Sequence, residues 1–262
     1  MQRIEQDQNA PIYYQFDQWL QTPLQHGIFT RHGGVSHGPW DSLNVGGTVG
    51  DEVTAVLENG RRILATFGFN EKQSCTVWQV HGVDTVVANG PMPQRKWLTR
   101  ADGMITNKVG MALTMRFADC TPIMLYDPEH HAVGIVHAGW RGTVDGAITS
   151  AVQAMKLAYD TRPDLLQAAI GPSIGPDRYQ VGEEVVAAVQ NRFGTTDGLI
   201  KRADDGSAYF NLWEANRRLL AASGVAQIEV AGICTATYTD EFYSHRAEKG
   251  KTGRFGAVIA LC

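Results

Sequence analysis

The 262-residue sequence contains no run of 18 apolar residues, so nothing in it reads as a transmembrane helix. It has no basic excess either. Its 23 lysines and arginines face 27 aspartates and glutamates, a net charge of −4, which argues against a nucleic-acid partner. Only 10 residues are proline, and no repeat, low-complexity tract or Ser/Pro-rich linker divides the chain. Gly90–Lys96 is the only long loop-like interruption, so one domain over residues 1–262 is expected. Residues Met1–Ala10 are polar and acidic, with no apolar stretch before a cleavage site, so the expected compartment is the cytoplasm. Several cofactor signatures are missing too. No Gly-x-Gly-x-x-Gly follows a strand, and there is no His-Glu-x-x-His. Gly250-Lys251-Thr252 lacks the upstream glycine of a phosphate loop, because position 245 is His245.

What is present is an ordinary globular composition, 44% apolar and 19% charged, with four cysteines and eight histidines. In a reducing compartment the thiols are free for metal or chemistry. Apolar periodicity predicts helices at 51–67, 142–158, 182–193 and 211–222. In the first, Asp51 is positioned to cap, Val53, Val56, Leu57, Ile63, Leu64 and Phe67 share a face, and Gly60 on that stripe marks close packing. β-rich runs fall at 26–30, 75–80, 83–88, 110–117, 121–126, 131–137, 166–170, 227–233 and 256–261. Strands and helices do not alternate regularly, which points away from a doubly wound sheet and towards mixed sheets with helices outside.

The most informative local pattern is a hairpin. Two apolar runs flank Asp127-Pro128-Glu129-His130, with proline at a favoured turn position. Centring the turn between Pro128 and Glu129 sets Cys120 directly opposite His137, on one sheet face. Pro122 fits such a strand only near its start or at a sheet edge. The pair suits two ligands of one metal, a Cys–His nucleophile, or simple burial. Gly139-Trp140-Arg141-Gly142 then leads into a helix. Glycine lets the backbone approach a ligand, and Arg141 adds a forked cation, so the turn suits a phosphate or carboxylate or serves only as a strand-to-helix link. His81, before Gly82, is alone a structural histidine as readily as a ligand. The loops carrying Arg31 and Asn44 are candidate substrate loops.

Taken together, these motifs resemble the YfiH or laccase-domain family, whose members are described as polyphenol oxidases and purine nucleoside phosphorylases. The matching stretches are Thr30-Arg31 with Gly33-Gly34-Val35-Ser36, Asp41-Ser42-Leu43-Asn44-Val45-Gly46, Gln79-Val80-His81-Gly82 and Ala118-Asp119-Cys120. They continue with His137-Ala138-Gly139-Trp140-Arg141-Gly142, Gly171-Pro172-Ser173-Ile174-Gly175-Pro176, Cys234-Thr235, Phe242-Tyr243-Ser244 with Arg246, and Thr252-Gly253-Arg254. The resemblance implies an α+β fold layered α/β/β/α. It implies a zinc held by His81, Cys120 and His137, with the fourth position open as in catalytic zinc sites. The implied activities are phosphorolysis of adenosine, inosine, guanosine and methylthioadenosine to base and ribose 1-phosphate, and deamination of adenosine. Arg31, Asn44 and Arg141 are then the candidates to hold ribose or phosphate, and Asp119 to orient a ligand or carry a proton.

Three positions depart from the family pattern. Gly60 stands where an arginine is common, Phe117 where a small residue is, and His245-Arg246-Ala247-Glu248 replaces a Tyr-Arg-Arg-Asp-like run. Rival readings are copper-dependent phenol oxidation, a metal-free Cys–His amidase acting on a cell-wall precursor, and a structural zinc with Cys234 as fourth ligand. A His₂Cys site also suits copper, but the chain has no His-x-His pair of a multicopper laccase.

Overall fold

In a computed structural model that describes residues 1–7, 10–92 and 96–262, two six-stranded mixed sheets lie face to face. Residues 93–95 of the expected Gly90–Lys96 loop lie outside the described residues. The first sheet runs in the order β1 (Gln2–Ile4), β2 (Tyr13–Gln15), β3 (Leu24–Phe29), β15 (Phe255–Leu261), β7 (Ala112–Phe117), β4 (Ser74–Cys75). The second runs β14 (Gln227–Val230), β10 (Gln167–Ile170), β8 (Thr121–Asp127), β9 (Ala132–Ala138), β6 (Gly103–Thr106), β5 (Thr85–Val87).

Side-chain alternation builds the layers. Met124, Tyr126, Val133, Ile135, Ala257 and Ile259 point into the space between the sheets. Their neighbours Ile123, Leu125 and Val136 point the other way, onto α3 (Ala147–Tyr159) and α5 (Leu212–Ala222). On the far side, Val258 and Ala260 meet Ile63 and Leu64 of α1 (Val53–Thr66). Strands buried on both faces read as continuous apolar runs, which is why they were legible. The result is the expected α/β/β/α layering. A small third sheet, β11 (Gln180–Val181), β13 (Ala208–Phe210) and β12 (Ile200–Arg202), packs with α2 (Trp140–Asp145) and α4 (Glu183–Phe193) at one end.

Local differences from expectation have local causes. The helix expected over 142–158 is two, because Gly146 adopts a left-handed φ of 101° between α2 and α3. Asp51 does not cap α1; its carboxylate accepts from Ser36 Oγ and Asn44 Nδ2 instead. Val53 and Leu57 are exposed, and a Cβ on Gly60 would meet nothing within 4 Å, so Gly60 faces open space and not a packed neighbour. Of the run 75–80 only Cys75 is in a strand, the two-residue β4, before the chain leaves the sheet.

The hairpin forms, with its register displaced. Asp127 accepts the backbone N–H groups of Glu129 and His130, and His131 enters the turn at φ 46°. This moves the centre one residue along, so His137 faces Pro122 and Cys120 lies two residues further down. A shift of two keeps a side chain on the same face, so Cys120 and His137 still meet. Pro122 is the second residue of an internal strand, the strand-start position proline tolerates.

Candidate metal centre

His137 is the penultimate residue of β9, on the inter-sheet face, buried at 4% exposure, with Phe117 beside its ring. Cys120 precedes β8. His81 comes from the loop after β4. Their ligand atoms all lie within 4.8 Å of one another, and among the described residues this is the group of histidine, cysteine and carboxylate side chains able to hold a metal. The hairpin arithmetic and the family resemblance named these three residues together.

What holds the two histidines is Asp102, immediately before β6 and fully buried. Its carboxylate accepts the backbone N–H groups of Val80 (3.0 Å), His81 (3.0 Å) and Gly82 (2.7 Å). It also accepts from His137 Nδ1 at 2.8 Å. A carboxylate only accepts, so His137 carries its proton on Nδ1 and turns Nε2 to the centre. Those bonds keep His81 in a left-handed conformation, φ 58°, that an isolated histidine disfavours. On the other side, Asp119 sits at φ 80°, its carboxylate accepting from Thr235 Oγ1 (2.7 Å) and the Arg246 N–H (2.6 Å). Asp119 is thus fully engaged in shaping the turn that presents Cys120.

The electrostatics favour a thiolate. Burial alone raises the Cys120 thiol, but the charge and hydrogen bonding of His137 and His81 outweigh it and hold the thiol well below its ordinary value. His137 shifts oppositely: burial lowers it, but Cys120 and Asp102 more than reverse that. Cys75, with no such neighbours, is pushed up by burial to about 11.

The donor set fits a metal. Two imidazole nitrogens and one thiolate are zinc ligands, and the Asp102 carboxylate orients one of the imidazoles. Gly139 leaves the space: a Cβ there would lie 3.0 Å from Cys120 Sγ and 3.2 Å from His81 Nδ1. Cys234 is not part of the group. It is buried, and its Sγ accepts the Gly175 N–H at 3.1 Å.

The three residues open into a cavity of about 590 Å³ that runs past α2 and under α1. Arg141, Arg246 and Arg254 line it. Arg141 lies over the Trp140 ring, Arg246 over Tyr179, and Arg254 donates to the carbonyls of Thr252 and Gly253. Among the described residues none of the three has an acidic partner within ion-pair distance.

Two expected substrate residues stand elsewhere. Arg31 does not line the cavity: its guanidinium donates to the carbonyls of Asp41 and Thr239 and to Glu248. Asn44 is fully buried, spending its amide on Gly46, Asp51 and the Arg254 N–H. Neither side chain lines the cavity, and Asn44 reaches its wall through the backbones of Gly46 and Arg254. His245 does line the cavity, whereas Phe117 touches it only through His137. Sequence reasoning missed Asp102 and gave no role to Arg246 or Arg254, although both arginines sit in motifs quoted above. For Asp102 the available signal was a lone carboxylate opening the apolar run Gly103–Thr106.

Layered mixed sheets ending in a His–Cys–His donor group define an α+β protein with a candidate metal centre. The chain belongs to the family described as "Multi-copper polyphenol oxidoreductase laccase", whose sequence profile it matches over residues 25–262. A Deinococcus radiodurans protein named purine nucleoside phosphorylase is 37% identical over 91% of this chain and 89% of its own length. The Bacillus licheniformis protein YfiH has the same fold, with a TM-score of 0.90, 30% identity and 98% coverage of both chains. YlmD from Geobacillus stearothermophilus superposes with a TM-score of 0.89 at 33% identity, again covering 98% of each chain. Among the described residues no helix is long and apolar enough to cross a membrane.

Proposed function

We propose that this chain, as one catalytic domain, is a zinc-dependent purine nucleoside phosphorylase acting on adenosine, inosine, guanosine and methylthioadenosine. The names of its relatives support the reaction class. The observation that carries the reading is the set of arginines, Arg141, Arg246 and Arg254, facing the cavity with no ion pair among the described residues, in a protein of net negative charge. Unpaired cations next to a candidate metal centre suit an anionic co-substrate, and phosphate is the anion phosphorolysis requires.

In the reaction a phosphate oxygen forms a bond to the ribose anomeric carbon as the bond from that carbon to the base nitrogen breaks. The base leaves with the electron pair and takes up a proton. Arg141, Arg246 and Arg254 neutralise the phosphate and hold it against the ribose. Asp102 keeps the proton on His137 Nδ1 and fixes the His81 loop, so that the donors stay aimed at one point. Zinc bound by His81, Cys120 and His137 supplies Lewis acidity there. We favour zinc over copper because three donors and an open position are its catalytic arrangement, and the chain has no His-x-His pair.

The test is product chromatography of a nucleoside panel with and without phosphate. Adenosine giving adenine only with phosphate supports phosphorolysis; inosine formed without phosphate identifies deamination at the same centre. A second reading rests on the order Asp102–His137–Cys120, which is that of a thiol hydrolase. An acyl adduct trapped on Cys120 with an amide substrate would favour it.

A further inference from the structure

Trp78 and Trp97 stand at the cavity rim, their rings 4.4 Å apart and edge to face, both more than a third exposed (37% and 41%). Large aromatic side chains are seldom left this open without a use, and this pair borders the cavity that holds the candidate metal centre. The pair is not on a loose loop. Trp78 N–H donates to the Thr99 carbonyl, Ala101 N–H to the Trp78 carbonyl, and Leu98 N–H to the Thr76 carbonyl, so both backbones are tied together. Trp78 is three residues from His81, a chain path of at most roughly 10 Å, about the reach of a nucleoside.

The hydroxyl and amide groups of Thr76, Ser74 and Gln79 beside the pair are already spent, while Thr99 and Arg100 flank its outer side. Thr76 Oγ1 donates to the Thr114 carbonyl and Ser74 Oγ to the Glu71 carbonyl. Gln79 uses both ends of its amide on the backbone of Arg116. Between Thr99 and Arg100 on one side and the engaged Thr76, Ser74 and Gln79 on the other, the two rings are the large apolar surface this end of the cavity presents to a planar ligand.

We propose that Trp78 and Trp97 form the base subsite, gripping the purine by its π-face and not by its hydrogen-bonding edge. The inference rests on the phosphorylase reading and deepens it: stacking tolerates any base, because every base has a face, so adenine, hypoxanthine and guanine nucleosides are accepted alike.

The experiment uses the zinc-loaded full chain and the exposed-site variants Trp78→Leu, Trp97→Leu and Trp97→Phe, with unchanged melting as the folding control. Calorimetric affinity for free adenine is measured beside inosine kinetics. The proposal predicts that each leucine variant weakens adenine binding about tenfold and raises the inosine KM by a similar factor, with kcat within twofold. Trp97→Phe retains most of the affinity, and the ratio of adenosine to guanosine turnover stays near that of the parent. Adenine binding that is absent from the parent, or equal in the parent and both leucine variants, overturns the subsite. Adenine binding that is lost in the leucine variants while no nucleoside turns over upholds the subsite and sinks the phosphorylase reading alone.

Discussion

The Asp102 carboxylate binds His137 Nδ1 at 2.8 Å and the His81 N–H at 3.0 Å, so one buried group fixes two of the three candidate metal ligands. Burial alone would raise this carboxyl, but the His137 hydrogen bond and the backbone donors hold it below its ordinary range. Replacing it removes an orienting partner from one histidine and the loop anchor from the other. Asp102→Asn is expected to weaken zinc binding roughly 10- to 100-fold, measured by chelator competition, and Asp102→Ala to cost several kcal/mol of stability as well.

Gly139 tests the space around the same point. Its backbone, φ −78° and ψ 179°, accepts alanine, but the added Cβ would press on Cys120 Sγ and His81 Nδ1. Gly139→Ala is expected to fold normally and to carry much less zinc per chain, read by elemental analysis with a melting curve as control.

The two classes of arginine separate cleanly. Arg31→Ala breaks bonds to two carbonyls and Glu248 and is expected to cost about 1–3 kcal/mol in denaturant unfolding, with the phosphate KM within twofold. Arg141→Ala is expected to raise the phosphate KM about tenfold with little change in melting, because Arg141 is exposed, lies over the Trp140 ring and makes no ion pair among the described residues.

The lowered Cys120 thiol predicts selective chemistry in the metal-stripped protein. At neutral pH iodoacetamide is expected to modify Cys120 well before Cys75, whose thiol is raised to about 11 by burial. Peptide mapping distinguishes Cys120 from the exposed Cys262, and added zinc is expected to protect Cys120 alone.

His26 sets an acid limit independent of the site. It is buried against Phe16 and Trp19, and its Nε2 accepts the Phe16 N–H, so burial lowers it from 6.5 to about 4. The unfolded chain binds this proton more tightly. Stability from neutral His26 is therefore complete above pH 6.5 and is lost as pH falls towards 4, by up to ~3 kcal/mol. Urea unfolding at pH 7 and pH 4 should show that difference, and a His26→Gln variant should show a smaller one.

The layered core was legible because its strands are apolar on both faces, and the hairpin because its turn residues are distinctive. The register was misjudged because the Asp127 side chain reorganised the turn and drew His131 into it, an event no periodicity records. The meeting of Cys120 and His137 survived because the error was an even number of residues. Asp102 was invisible for a different reason. Its partners, the Val80–Gly82 backbone and His137, are 20 to 35 residues away, brought to it by the bridge between Trp78 and Arg100 and by the pairing of β6 with β9. The place of Arg31 and Asn44 off the cavity lining was not legible, because a polar residue beside glycine looks the same whether it faces a cavity or its own backbone.

The most direct test of the account follows inosine with the zinc-loaded protein and with Cys120→Ser, scoring hypoxanthine and ribose 1-phosphate together. The account predicts equal amounts of both products, formed only when phosphate is present, and loss of zinc and turnover together in the variant. Undiminished phosphorolysis by a metal-free Cys120→Ser protein would contradict it, as would hypoxanthine released without ribose 1-phosphate.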